Sequence, residues 1–214
     1  MERIGLVVET SLEVPSFLHK HSYTKKDGLR VYTLNNKKIG LAVSGIGHMR
    51  VKKIVKNLIN SFFPDYILFI GYCGAVNPAL RLKDIVVAKR VMYKSKIPLV
   101  TDHRLIKNAE KILESYGITY MTGTLQTFDG VAISRKSVLN GVDAVDMESY
   151  FVMEKALEDD VPIVIVKSVS DIIPKYTPKF YPKKVIKLLT ILKILLGMKR
   201  GKPALDNFCK SLIS

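Results

Sequence analysis

Cysteine is scarce in this 214-residue chain: only Cys73 and Cys209 occur, far apart and in neither metal-ligand nor CxxC spacing. That sets aside a thiolate metal site and a dithiol redox motif. Cys73 follows an apolar run, where a reduced, buried thiol is expected. Tryptophan is absent and aromatic residues make up only 8%. They are not interleaved with Arg and Lys, so no stacking platform for single-stranded nucleic acid is present. No helix-turn-helix or RNP-type strand pair is visible either, which argues against a specific nucleic-acid module. No run of about 18 uncharged apolar residues occurs, so no membrane-spanning helix is expected. Met1-Glu2-Arg3-Ile4-Gly5 lacks the charged lead, apolar stretch and cleavage site of a secretory leader, and the cytoplasm is the expected compartment. Internal repeats and low-complexity linkers are also missing, which favours a single domain over residues 1–214.

Acidic residues are outnumbered, 19 against 34 Lys plus Arg, for a formal charge of +15. The surplus suits an anionic partner (nucleic acid, a phosphorylated metabolite or an acidic membrane surface), or simply a solubilising lysine-rich exterior. Hydrophobic residues reach 48%, enough for a sizeable core and against intrinsic disorder.

Short apolar strands alternate with amphipathic helices. Strands are predicted at Ile4–Val8, Leu29–Leu34, Lys38–Val43, Tyr66–Ile70, Ile85–Ala88, Ile118–Thr122 and Val161–Val169. The turn pair Asn35-Asn36 predicts a hairpin. Helices are predicted near Leu12–His19, from the Gly45-Ile46-Gly47 turn to Pro64, from an Asp102 cap to Gly117, and over Glu148–Leu157. This alternation implies an α/β domain whose site lies in loops at the carboxyl ends of strands. The tail, about 182–214, differs. Lys183, Lys187, Thr190 and Lys193 form a narrow polar stripe beside a wide apolar face, with Gly197, Gly201 and Pro203 as punctuation before a last short helix. That face would pack on the core or a partner subunit; the sharper alternative is peripheral contact with a membrane surface.

Four segments bring polar groups to strand ends: Val8-Glu9-Thr10-Ser11-Leu12-Glu13-Val14, Ser44-Gly45-Ile46-Gly47, Gly71-Tyr72-Cys73-Gly74-Ala75-Val76-Asn77-Pro78, and Val145-Asp146-Met147-Glu148-Ser149 with Ser168-Val169-Ser170-Asp171. Each taken singly has a structural explanation as a turn glycine, a helix cap or a solvated acid. In this order, with Asp84-Ile85-Val86-Val87 after Asn77-Pro78-Ala79-Leu80, the set resembles the nucleoside phosphorylase superfamily. The branch it is most similar to is that of the methylthioadenosine/S-adenosylhomocysteine nucleosidases, with futalosine hydrolase and the hopanoid-associated phosphorylase as relatives. The resemblance spans roughly residues 3 to 173.

The resemblance implies a three-layer α/β sandwich with a central twisted mixed sheet, and cleavage of the purine–ribose bond of a 5′-substituted adenosine without metal or organic cofactor. It implies a homodimer or higher homo-oligomer. Glu13 would orient and deprotonate water; Asp171 would protonate the purine N7, with Ser170 placing it. Glu148 would accept the ribose hydroxyls, Met147 would pack under the sugar, and Val131 and Ala132 would meet the base edge. Ser44, Gly45, Gly47, Gly71, Tyr72 and Gly74 would line the nucleophile side. Tyr72, Asp146 and Val131 depart from the residues common in the nucleosidases: a small hydroxyl residue, a longer Glu and a stacking aromatic. The stretch from Arg90 to Asp102 is shorter than in that branch, which would leave the 5′-tail side open. Arg50 and His48 at a helix start would serve phosphate if the reaction were phosphorolysis. Hydrolysis leads, because the segment after the first strand has no arginine and Glu13 stands ready for water. A catalytically inactive nucleoside-binding or polyanion-binding protein is the remaining alternative.

Overall fold

The computed structural model describes residues 1–45, 47–132, 134–176 and 183–213, with the side chains of 183–189 and 192 left aside. Ile46, Pro182 and much of the predicted tail stripe (Lys183, Lys187 and the neighbouring apolar side chains) therefore lie outside the described residues. Ten strands are described: β1 Glu2–Val8, β2 Thr24–Lys26, β3 Leu29–Leu34, β4 Lys37–Val43, β5 Tyr66–Ala75, β6 Ile85–Met92, β7 Leu99–Val100, β8 Tyr120–Thr127, β9 Ala144–Asp146 and β10 Ile163–Ile172. The helices are α1 His48–Phe62, α2 His103–Ser115, α3 Ser149–Glu158 and α4 Lys183–Ile213.

Asn35 and Asn36 both take positive φ, 46° and 62°, and close the β3–β4 hairpin as their sequence predicts. The strands form one mixed sheet. β1 runs parallel to β4 and β5, and β5 parallel to β10; β10 lies antiparallel to β6. β6 then pairs parallel with β8, β8 with β9, and β9 antiparallel with β5, so five strands close a ring beside the open part of the sheet. Apolar residues of α1 and α3 share one core with Val7, Phe69, Ile163 and Ile165. Residues of α2 and α4, among them Ile106, Leu113, Phe208 and Leu212, share the other with Leu6, Leu68, Val87 and Val166. Helix, sheet, helix: the three-layer α/β sandwich is present, because alternate side chains of each central strand enter opposite cores.

Three expectations need correction. The predicted helix at Leu12–His19 is two single helical turns, Ser11–Glu13 and Ser16–Lys20, because Pro15 between them has no N–H to carry one through. β5 does not stop at Ile70 but runs on through Gly71 and Gly74 to Ala75. Glycine inside a strand commonly marks a close approach by another group. A Cβ on Gly71 would sit 2.9 Å from Lys167 Nζ and 3.3 Å from Glu9 Oε1, and one on Gly74 would meet Ile173 and lie 3.3 Å from Asp171 Oδ2. The tail, finally, is one helix through Gly197, Gly201 and Pro203 rather than a broken one. Gly197 sits against the backbone of Ser170 and Gly201 against the Ser168 side chain, so the two glycines bring α4 close onto β10.

Candidate active site

Where β1, β5, β9 and β10 end, a cavity of about 350 Å³ opens, within the range usual for small-molecule sites. Glu9, Glu13, Tyr72, Gly74, Val131, Ala132, Asp146, Met147, Glu148, Ser170 and Asp171 line it. The four segments singled out in the sequence thus send their polar groups to one place, with one exception. Ser44, Gly45, Gly47 and Arg50 stand outside the lining, as does Gly71. Ser44 N–H donates to the Val8 carbonyl (2.8 Å) and Gly45 N–H to the Glu9 carbonyl (2.9 Å). These two residues thereby fix the chain leaving β1. Gly47, at φ 112°, precedes α1, and Arg50 lies beside Gly45.

Glu13 is buried, and its Oε2 accepts the backbone N–H groups of Glu9 (2.6 Å) and Thr10 (3.0 Å). α4 holds this turn from outside: Lys202 Nζ donates to the carbonyls of Leu12 (2.7 Å) and Val14 (3.1 Å), either side of Glu13. Burial, reinforced by the Glu9 charge, pushes the Glu13 carboxyl up to about 8. Tyr72 faces Glu13, and its phenol is raised by burial and then by the Glu13 charge.

Asp171 sits beside a bulge in the β5–β10 pairing between Val169 and Asp171, a device that re-aims a side chain at a strand end. The Ser170 hydroxyl lies 2.9 Å from Asp171 Oδ1 and 3.3 Å from the Cys73 carbonyl. Burial raises the Asp171 carboxyl above its ordinary value, against the opposing Ser170 hydrogen bond and the Lys193 charge. Such a group holds a proton longer than an exposed aspartate would.

Glu148, only 1% exposed, precedes α3, and its Oε2 has no hydrogen-bond partner. Burial first, then the charges of Glu9 and Asp146, push it up to about 10. Asp146 lines the wall but spends its oxygens elsewhere: Oδ1 accepts from Thr127 (2.8 Å), and Oδ2 from the Ser149 backbone (3.1 Å) and hydroxyl. It braces the start of α3, and Thr127 Oγ1 in turn accepts the Tyr150 N–H at 3.0 Å.

Two charged residues in this cluster escape the sequence reading. Lys167, in the middle of β10, is fully buried, with Nζ 2.6 Å from Glu9 Oε1, 3.5 Å from Asp146 Oδ2 and 3.6 Å from the centre of the Phe69 ring. Burial opposes its charge, but Glu9, Asp146 and Glu13 together hold its pKa above the ordinary lysine value. A single Lys inside Ile163-Val164-Ile165-Val166-Lys167 was the available signal, since a buried ammonium demands a carboxylate. Glu9 had only its place after β1 to mark it. Ile191, Ile194, Leu195 and Met198 of α4 complete the lining with Leu12 and Ile173; their spacing along the helix is that of one face. Among the described residues no group of three or more His, Cys, Asp and Glu is arranged to hold a metal ion.

The chain is similar to known proteins in sequence and in fold. A 5′-methylthioadenosine/S-adenosylhomocysteine nucleosidase of Buchnera aphidicola (Schizaphis graminum) is 25% identical over 90% of this chain and 94% of its own. The corresponding Staphylococcus epidermidis nucleosidase is 26% identical over 65% of this chain and 71% of its own. In three dimensions the chain resembles futalosine hydrolase of Helicobacter pylori (TM-score 0.84, 20% identity, 99% and 97% of the two chains covered). It is as similar to a 5′-methylthioadenosine/S-adenosylhomocysteine nucleosidase of that organism, solved with a pyrrolidine inhibitor (TM-score 0.84, 20% identity, 99% and 97% covered). The sequence profile described as "Phosphorylase superfamily" matches residues 3–192, and the chain therefore belongs to the phosphorylase superfamily.

Proposed function

We propose that this protein is a purine nucleosidase that hydrolyses the N-glycosidic bond of a 5′-substituted adenosine, methylthioadenosine being the type substrate. The observation that carries the reading is the convergence of Glu13, Glu148 and Asp171 on one cavity, each with raised proton affinity. Leaving-group protonation is the main demand of a reaction through an oxocarbenium-like transition state. Asp171, buried and touched by Ser170, supplies that proton to the base. Glu148 presents its free Oε2 to a ribose hydroxyl. Glu13, in its ionised form, takes the proton of the attacking water. Val131 and Ala132 flank the base. The apolar side chains of α4 suit a 5′ substituent without charge, so methylthioadenosine is preferred to S-adenosylhomocysteine, whose tail carries an ammonium and a carboxylate.

Phosphorolysis is the second reading, since Arg50 stands at the start of α1; its position outside the cavity lining favours water. Chromatography of reactions with adenosine, inosine, methylthioadenosine, S-adenosylhomocysteine and a long-chain 5′-alkyl adenosine, each with and without phosphate, separates the two. Adenine release without phosphate supports hydrolysis; release that needs phosphate overturns it in favour of a phosphorylase. No release from any compound overturns the catalytic reading.

The proposal extends to a cytoplasmic homodimer. Exposed Met49 and Ile97 offer it apolar surface, and light scattering on the purified chain reads its mass. No helix among the described residues is long and apolar enough to cross a membrane. Peripheral contact through α4, where Leu195 and Leu196 are exposed beside Lys193, Lys199 and Arg200, is read by flotation with acidic liposomes.

A further inference from the structure

Val131 and Ala132, the residues assigned to the base, belong to a span that its own backbone does not hold. Among the described residues, the backbone groups of Gly130, Val131 and Ala132 make no hydrogen bond. The span is tied at its ends instead. Downstream, Arg135 N–H donates to the Pro174 carbonyl (3.1 Å) and Arg135 Nε to the Ile173 carbonyl (2.8 Å). Upstream, Phe128 N–H donates to the Asp146 carbonyl (2.8 Å), and after it the chain is tied by one side chain, Asp129. Asp129 Oδ1 accepts the Tyr93 hydroxyl (2.8 Å) and lies 3.3 Å from His48 Nε2, while Oδ2 lies 2.8 Å from Lys94 Nζ.

Neither Asp129 nor any of these three partners lines the cavity. His48 opens α1, and Tyr93 and Lys94 follow β6. The start of α3 fixes two of them in turn. The His48 ring stacks on Phe151, 4.1 Å between centres and 12° between planes. The buried Tyr93 ring meets Phe151 at 4.8 Å and Tyr150 at 5.4 Å. Tyr150 and Phe151 come directly after Glu148-Ser149. One aromatic cluster thus supports both the carboxyl assigned to the sugar and the span assigned to the base.

We propose that Asp129 is a positioning residue: its carboxylate, clamped by Tyr93, Lys94 and His48, sets the place of Gly130, Val131 and Ala132 and with it the affinity of the site for a purine base. Tyr93 is the strongest of the three partners. Its ring is buried and packed, whereas the Lys94 and Asp129 side chains are 62% and 47% exposed, and so exposed an ion pair adds little. The inference rests on the nucleosidase reading for the base as ligand; the ordering of the span in the free protein does not.

Two readouts on the full-length protein test it. The first needs no ligand: nitrogen-15 relaxation at the amides of Gly130, Val131 and Ala132. Order parameters of about 0.85 are expected in wild type and below about 0.6 in Asp129→Ala, with β8 and α3 unchanged. The second is calorimetric titration with adenine. Freeing even one residue of the span before binding costs about 5–30-fold in affinity, and Asp129→Ala and Tyr93→Phe should each weaken adenine on that scale. Asp129→Asn keeps an acceptor for the Tyr93 hydroxyl and should retain most of the affinity. Tyr93→Phe combined with Asp129→Ala should cost no more than Asp129→Ala alone, since both remove the same bond. With methylthioadenosine, KM rises more than kcat falls.

A span already mobile in wild type, or still rigid in a folded Asp129→Ala, overturns the proposal. Undiminished adenine affinity in both single variants overturns it too, even if Tm falls. Should Asp129→Ala not fold, Tyr93→Phe keeps the buried ring and carries both readouts. If wild type neither binds adenine nor releases it from methylthioadenosine, the nucleosidase reading fails, while the order parameters still decide whether Asp129 holds the span.

Discussion

Replacing Gly197 by Ala sets two opposed effects against each other. In a helix interior, Ala is favoured over Gly by about 0.8–1.0 kcal/mol, and an exposed site would gain roughly that much. Gly197 is buried against the β10 bulge, and a Cβ there would fall on the Ser170 carbonyl group. Overpacking costs about 1–3 kcal/mol where side chains can adjust. Here the obstacle is backbone already committed to the sheet, so the upper end applies and α4 must withdraw. The net expectation is a loss of about 2 kcal/mol, which for a domain of this size lowers Tm by about 4–8 °C. Gly201→Ala is the internal control. Its Cβ would meet the Ser168 hydroxyl, whose χ1 can rotate, and would lie 3.4 Å from Tyr72 Cε1, so it should cost clearly less. Urea unfolding of the two variants and wild type gives the ranking. A Gly197→Ala protein as stable as wild type, or no less stable than Gly201→Ala, would refute the argument that the glycines exist to let the helix approach. Since the displaced carbonyl belongs to Ser170, kcat/KM should fall together with stability.

Asp171→Asn keeps shape but has no proton to give; kcat for adenine release should drop about 10²–10⁴-fold with KM little changed, as general acid catalysis contributes on that scale. A drop of less than about tenfold would remove Asp171 from its assigned role. Lys167→Met leaves Glu9 and Asp146 facing an apolar side chain, and breaking a buried pair in this way costs about 3–5 kcal/mol; chemical denaturation should show it, and a neutral result would mean that the ammonium is not needed where it lies. Glu148 is held protonated in the fold up to about 10, against an ordinary value of 4.5. The stability this gives is complete below pH 4.5 and is lost as pH rises toward 10, because only the unfolded chain releases the proton. Glu148→Gln should therefore gain on wild type in urea midpoint between pH 5.5 and 8.5, and parallel curves would contradict the raised value. Met198→Lys places a charge in the α4 wall and should weaken methylthioadenosine binding far more than adenine binding, measured by calorimetry.

The hairpin, the α1 and α2 boundaries and the presence of the strands were legible because each carries a local signal: Asn35-Asn36 for the turn, Asp102 and Gly117 for the cap and stop of α2, apolar runs for β1 and β10. The carboxyl ends of β5, β6, β8 and β10 run three to five residues past the predicted Ile70, Ala88, Thr122 and Val169. The site segments were legible as a set, because strand ends in an α/β sheet converge on one region. Local signals misled where tertiary contact decided. Gly71 and Gly74 read as a loop but lie within β5, since their missing side chains are filled from β10 and the segments beside it. Gly197 and Gly201 read as helix breaks but are the seam on which α4 docks. Glu9 was overlooked because its partner, Lys167, is 158 positions away, and no pattern within either segment joins them.

α4 is tied to the domain at both the cavity wall and the turn that carries Glu13. Its apolar residues wall the cavity, and its Lys202 grips the turn that bears Glu13. A change that shifts this helix would therefore disturb the cavity wall and the Glu13 turn together, and from α4 neither can be altered alone.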